Sequence, residues 1–415
     1  MPLRNKLLLL LSFWLFVIGG AGAQTALSNE ITAISIRGLK RTKPHVAEQY
    51  VKKFLGRDAD SLDLREVEGA VLDTGILEPV SVSIADDPEG GGRLLQIELK
   101  EKWSIIPFPL FSVGSGGDIG GGGFLMDANA FGINDKMILG GLYRRSGWMV
   151  TAMYISTPDR DHVLGWNLRG SYSQEERTDS DQKNDDIRRF SQDSITASAG
   201  INYPLNEFVT PSFSLTYNGR LLRHNDDPLR VPGEDAHVIS LSPELALEKT
   251  VWDGYLSARQ YASIAYLYTI GIDYPSSHAL SFRAVYERSL VPGFKLGLKT
   301  GVLYDPDAEV LFESPPSAAQ VDILSENYIA RNYAGGSFDI EKYLYKFSVG
   351  TLSLLVSYQG VWSQGPVLGH RFDHGVAGSL RFYLSKVAFP ALGVGAAYNV
   401  AARYFKMNLS IGMSF

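Results

Sequence analysis

The chain has 415 residues, 45% hydrophobic, with a formal net charge of -6 and no cysteine. That length allows more than one domain, and the lack of Cys excludes disulfides, thiolate zinc sites, a lipid-modified N-terminal Cys and Cys nucleophiles. No dominant basic block is present, which argues against a nucleic-acid partner.

The N-terminus reads as a secretory signal over residues 1–23. Arg4 and Lys6 supply the positive region, Leu7 to Ile18 the apolar core, and Ala21-Gly22-Ala23 the small-residue cleavage site. The core is shorter than the ~20 residues a spanning helix needs, and no uncharged apolar run of that length follows.

Residues 28–102 read as a small α+β domain in the order βααββ. Ile31 to Ile36 alternates as a strand. Thr42 is the expected N-cap of a helix with Pro44 in its first turn, and Val46, Tyr50 and Phe54 lie on one face before Gly56 ends it. Asp63, with Glu66 three residues on, reads as a capping box. Leu64, Val67 and Val71 form the stripe of that second helix, and Gly75 suits its C′ position. Val80, Ser81, Val82, Ser83 and Ile84 alternate as a strand, and Leu94 to Leu99 completes the set. The phrases ISIRGLKRT, LDTGILEPVSVSI and LLQIELKEKW, in this order of elements, resemble a POTRA (polypeptide-transport-associated) domain. Leu77 stands where that family usually has an aromatic residue. The resemblance implies a periplasmic module that engages polypeptide clients, with Val80 to Ile84 as the strand edge offered to them.

Residues 103–415 alternate with period two. Phe405, Met407, Leu409, Ile411, Met413 and Phe415 oppose Lys406, Asn408, Ser410, Gly412 and Ser414. Phe294, Leu296, Leu298, Val302 and Tyr304 oppose Lys295, Gly297, Lys299 and Gly301. Leu280, Phe282 and Tyr286 oppose Ser281, Arg283 and Glu287, and Leu164, Trp166, Leu168 and Tyr172 oppose Asn167, Arg169 and Ser171. Charge confined to one phase suits a wet interior; on a lipid face each charge costs ~2–4 kcal/mol at mid-membrane. The pattern predicts a membrane β-barrel of about sixteen antiparallel strands. Expected strand starts fall at Trp103, Asp118, Asp135, Trp148, Val163, Ser194, Thr210, Val238, Ala262, Ala279, Phe294, Gly336, Thr351, Val376, Ala391 and Phe405. The short connections GIND, TPDRD, VPGF and SVGT then lie on the periplasmic side, and the long polar stretches 174–190, 224–237 and 305–333 outside. Phe405, Leu409, Ile411 and the terminal Phe415 resemble the C-terminal strand signal of outer-membrane barrels.

One POTRA-like domain followed by such a barrel resembles the BamA/TamA superfamily of outer-membrane assembly and secretion barrels. The family's mark is an Arg-Gly-aromatic tripeptide in a long loop folded into the lumen. Here that place holds Arg331, Asn332 and Tyr333. Asn for Gly is expected to keep a left-handed turn, since Asn tolerates it better than most residues. The family's acidic partner two strands on is missing, with Tyr358 and Gly360 in its place, so Asp339 or Glu341 is expected to pair with Arg331. The first and last barrel strands of the family form a seam. Pro107 and Pro109 either weaken that seam, having no N–H to donate, or simply end the linker from the small domain.

The resemblance implies an outer-membrane protein that inserts or exports polypeptide clients, with membrane lipids and periplasmic accessory proteins as further partners. The alternative is a passive pore or structural barrel. No enzyme is expected. The glycine-rich stretch 114–123 lacks the P-loop Lys and a following helix, and no G-x-S-x-G elbow occurs. His370, Asp373 and His374 sit at or beside an outer loop and not on a helix, so no metal or cofactor is expected.

Overall fold

The computed structural model describes residues 29–412 except 89–90, 114–118, 159–162, 182, 226–234, 254–255, 309, 314–315, 317–318, 326, 366–368 and 385–390. The signal reading of residues 1–23 and Phe415 lie outside the described residues.

The small domain runs β1 (Ile31–Arg37), α1 (Pro44–Val51), a 3₁₀ turn (Lys52–Phe54), α2 (Leu64–Leu72), β2 (Leu77–Asp86) and β3 (Arg93–Glu101). β3 is the central strand, parallel to β1 and antiparallel to β2, so β1 and β2 are both edges. Val46, Val67, Leu77 and Leu95 are each 0% exposed and fill the space between helices and sheet, the apolar stripes having only that face to bury. Lys43, not Thr42, is the N-cap of α1; the Thr42 hydroxyl instead accepts from Asn129 Nδ2 at 2.9 Å. Asp63 caps α2 by accepting from the backbone of Arg65. Glu66, however, turns away from the cap to Arg57 at 2.7 Å.

A single sixteen-stranded sheet follows, each strand antiparallel to its sequence neighbour. Its strands are β4 (Ile105–Val113), β5 (Ile119–Ala130), β6 (Asp135–Arg144), β7 (Gly147–Ile155), β8 (Gly165–Ser180), β9 (Asp186–Asn202), β10 (Val209–Asn225) and β11 (Ala236–Asp253), then β12 (Leu256–Gly271), β13 (Ser277–Val291), β14 (Phe294–Tyr304), β15 (Asn332–Phe347), β16 (Gly350–Gly365), β17 (Gly369–Leu384), β18 (Ala391–Asn399) and β19 (Tyr404–Gly412). Among the described residues, β4 and β19 do not pair with each other. The alternation has the expected sense: Leu298, Val356 and Val394 are 57%, 50% and 56% exposed, while Ser353, Ser357 and Ser363 are at most 2% exposed on the other face. A broad apolar outer face of this kind is stable in lipid, where water need not cover it.

The stretch 174–190, expected to be a loop, is largely strand: β8 and β9 continue to Ser180 and from Asp186, leaving only a tight turn. A spanning strand needs ~9–11 residues, and β11, with 18 residues, carries its ladder further than that. Nothing ends the strand there, because cross-strand backbone pairing persists in water wherever a neighbour continues alongside. Pro107 and Pro109 lie inside β4 and so do not end the linker; they pair with Leu125 and Gly123. A proline can sit in that ladder only at positions whose backbone groups point away from β5. Both missing donors therefore fall on the edge of β4 that β5 does not use.

Candidate functional site

The connection 305–331 between β14 and β15 turns into the concave face of the sheet. Its sequence supplies apolar anchors: Ala319, Ile323, Leu324, Tyr328 and Ala330 are buried and pack with Tyr333, Val361 and Ala397. Polar contacts tie it to strands far apart in the sheet. Gln320 Nε2 donates to Thr300 O at 3.0 Å on β14. The Asp322 N–H donates to Gln359 Oε1 on β16 at 2.6 Å. Lys406 Nζ on β19 donates to Leu324 O at 3.2 Å. Leu311 packs with Phe190 of β9 and Ala236 of β11. One short segment can touch β9 and β19 together only if the sheet curls around it.

At the centre is an ion-pair chain. Arg331 Nε contacts Glu313 Oε1 at 2.8 Å, and Arg188 Nη2 contacts Glu313 Oε2 at 2.9 Å. Arg188 Nε reaches Asp179 at 2.5 Å and Arg177 Nε reaches the same carboxylate at 2.7 Å. Arg177 Nη2 also donates to Glu313 O at 2.7 Å. The Glu313 and Arg188 side chains are fully buried. A buried charge is tolerated only when paired and hydrogen-bonded, so this chain holds the loop to the β8–β9 hairpin. The Asp305 carboxyl, where the loop begins, is pushed up to about 6 by burial and then by Asp307, against the opposing pull of Arg331.

The expected partners of Arg331 are corrected. Asp339 pairs with Lys299 at 3.1 Å. Glu341 contacts Lys295 at 3.1 Å and Arg381 at 3.5 Å, and accepts from Tyr383 at 2.7 Å. Both lie on the inner phase, but eight and ten residues beyond Arg331, roughly 26 and 33 Å along a strand. Asn332 is also not left-handed: it starts β15 opposite Gln364, and Gln320 holds the positive φ of 58° in this loop. The Asn332 side chain accepts from the Asp305 N–H at 2.7 Å, fastening the loop's two ends together. Tyr333 is 3% exposed in the inner cluster. Glu313 escaped sequence reasoning because its partners are distant in sequence; the only signal was the charge density of 174–190.

A second junction fixes the small domain to the sheet. Glu101 accepts the N–H groups of Lys40, Arg41 and Thr42 at 2.8, 2.9 and 2.7 Å. Burial alone would raise its carboxyl, but those backbone donors outweigh it and hold Glu101 below its usual range. Arg41 is thereby aimed at Asp127 on β5, Nη1 to Oδ1 3.0 Å, and at Ser104 Oγ, 2.7 Å. The Lys43 N–H donates to Gly132 O at 2.8 Å in the β5–β6 turn. Ile106, Met126 and Ala128 continue the small domain's apolar core.

Within the small domain, β2 keeps one edge unpaired among the described residues. Ser81, Val82, Ser83 and Ile84 pair with Glu98, Ile97, Gln96 and Leu95 on the other side. Val80 is squeezed out as a bulge and stands 57% exposed. At the far end of the chain, Phe405 is 60% exposed on the outer face. Leu409 and Ile411 pair with Val394 and Leu392 in the β18–β19 ladder.

No protein-family profile and no curated protein matches the chain. Solved structures do. CdiB from Escherichia coli superposes with a TM-score of 0.63 at 13% identity, over 92% of this chain and 75% of that one. CdiB from Acinetobacter baumannii gives 0.60 at 14% identity, over 93% and 74%. BamA from Haemophilus ducreyi lacking POTRA domains 1–3 gives 0.51 at 14% identity, over 92% and 84%. In fold, the chain with its sixteen-stranded antiparallel sheet is similar to the solved structures of BamA and CdiB.

Proposed function

We propose that the chain is an outer-membrane translocase or insertase for polypeptide clients, with its small domain a periplasmic POTRA module and its sheet closing as a barrel at the β4–β19 seam. The observation that carries this reading is the pairing of a strand edge, β2, with a rigid mount on the sheet's first hairpin. A client strand adding to β2 gains main-chain hydrogen bonds, on a domain fixed to the hairpin that contains β4, the strand whose outer edge lacks two donors. The alternative of a passive open pore fits the filled interior poorly, since the 305–331 loop crosses it with buried apolar and ionic contacts.

Depletion of the protein followed by quantitative outer-membrane proteomics and secretome analysis tests this. Loss of specific outer-membrane or secreted proteins is expected. An unchanged proteome and secretome, with a steady conductance in planar bilayers indifferent to deletion of residues 28–102, would establish the pore instead.

A further inference from the structure

Four of the chain's seven histidines lie on the outer face of the sheet, near the ends of strands farthest from the small domain. His237 and His278 are the second residues of β11 and β13, and His370 is the second of β17, with His374 two outward positions further along, past Phe372. Their outward sense follows from their neighbours: Ala236, Val238, Ala279 and Asp373 are at most 3% exposed on the inner face. Each imidazole lies against an outward aromatic ring. His237 stacks on Tyr217 at 6.1 Å, His278 on Tyr268 at 4.8 Å and His370 on Trp362 at 5.5 Å. His374 lies 6.1 Å from Phe372 and from Tyr358.

Three of them also share a hydrogen bond through Nδ1: His237 with the Tyr217 hydroxyl at 2.7 Å, His374 with Tyr358 at 3.1 Å, and His278 with Tyr266. With the phenol donating, the neutral ring keeps its proton on Nε2. The aromatic partner thus fixes both the plane and the tautomer, and leaves an N–H donor that becomes a cation when the ring protonates. The opposite girdle, at the small-domain end, contains Trp166, Phe208, Tyr345 and Phe347 exposed on the outer face. No histidine accompanies them among the described residues. A generic interfacial belt needs amphipathic rings at both ends; it gives no reason for four imidazoles, each set against a ring, among the described residues of the far end.

Resting on the barrel reading above, we propose that these four histidine–aromatic pairs are a docking belt for the phosphate groups of anionic lipids in the outer leaflet. The Nε2–H groups and, once protonated, the imidazolium charges meet lipid phosphate, while the rings rest at headgroup level. The local groups that bear on protonation are few. The Asp273 carboxylate is 4.0 Å from His237 Nε2. Asp305 interacts electrostatically with His278, and Asp373 with His374 from the inner face. Tyr217, Tyr266, Tyr268, Tyr358, Phe372 and Trp362 complete the surroundings.

The test uses the full chain in nanodiscs of phosphatidylcholine, with or without phosphatidylglycerol, at about pH 8 and about pH 5.5, bracketing the usual histidine range. Native mass spectrometry reads which lipid is retained. The wild type is expected to retain phosphatidylglycerol above its bulk ratio, more so at the lower pH. A variant carrying His→Gln at 237, 278, 370 and 374 is expected to retain lipids at the bulk ratio at both pH values. Enrichment unchanged in that variant, or enrichment abolished equally by added inorganic phosphate in place of lipid competition, overturns the proposal. If the fourfold variant does not fold, as judged by circular dichroism and heat-modifiable mobility, the pair His370→Gln and His374→Gln is read in the same way. A wild-type chain that fails to enter nanodiscs at all would instead sink the barrel reading.

Discussion

Replacing Glu313 by Gln isolates the junction that holds the 305–331 loop inside the sheet. Its carboxylate is fully buried and meets Arg188 at 2.9 Å and Arg331 at 2.8 Å. The amide offers one acceptor oxygen in place of two and no charge, so the fully buried Arg188 side chain loses one of its charged partners and keeps Asp179. Removing one partner of a buried ion pair costs about 3–5 kcal/mol, roughly two to three and a half decades in the population of detached loop at 1.4 kcal/mol per decade. Arg331 is 26% exposed, so Arg331→Gln should cost less, and the two changes together should show coupling of about 0.5–3 kcal/mol in a double-mutant cycle. Limited proteolysis of the loop in detergent, beside denaturant unfolding followed by heat-modifiable mobility, measures both quantities. A Glu313→Gln protein within about 0.5 kcal/mol of wild type and equally protease-resistant would refute the argument that this ion-pair chain anchors the loop.

Other perturbations have equally definite outcomes. Gly132 has φ +74°, and a Cβ there would lie 2.2 Å from Arg41 O, so Gly132→Ala should loosen the small domain from the sheet while leaving each part folded, visible as new cleavage sites near residue 102 on proteolysis. Leu95→Ala, at a fully buried position, should lower small-domain stability by about 2–5 kcal/mol in thermal unfolding. Tyr328→Phe removes the hydroxyl contact to Ser363 and should cost about 0.5–1.5 kcal/mol in denaturant unfolding. The Glu101 carboxyl is held below its ordinary value in the folded state. Its contribution is therefore complete above the unfolded value, about 4.3, and is lost as pH falls through the depressed folded value. Trp103 fluorescence should report the small domain loosening in that acidic window, and Glu101→Gln should remove the step.

Period-two alternation made the sheet legible in the sequence. Side chains on a strand must point alternately to lipid and to the interior, and Phe294 to Tyr304 obeys that rule residue by residue, as do the starts of β6 at Asp135, β14 at Phe294 and β18 at Ala391. The small domain's helices were legible for the same reason, through the spacing of Val46, Val67 and Val71. The contacts of the interior were not. Arg331 finds Glu313 because an irregular loop doubles back, and Arg41 finds Asp127 because a domain docks on a turn. Periodicity says which face a residue occupies, and a chain's own sequence carries that. Which charge meets which across the interior depends on sheet curvature and loop path, and only the assembled structure decides it.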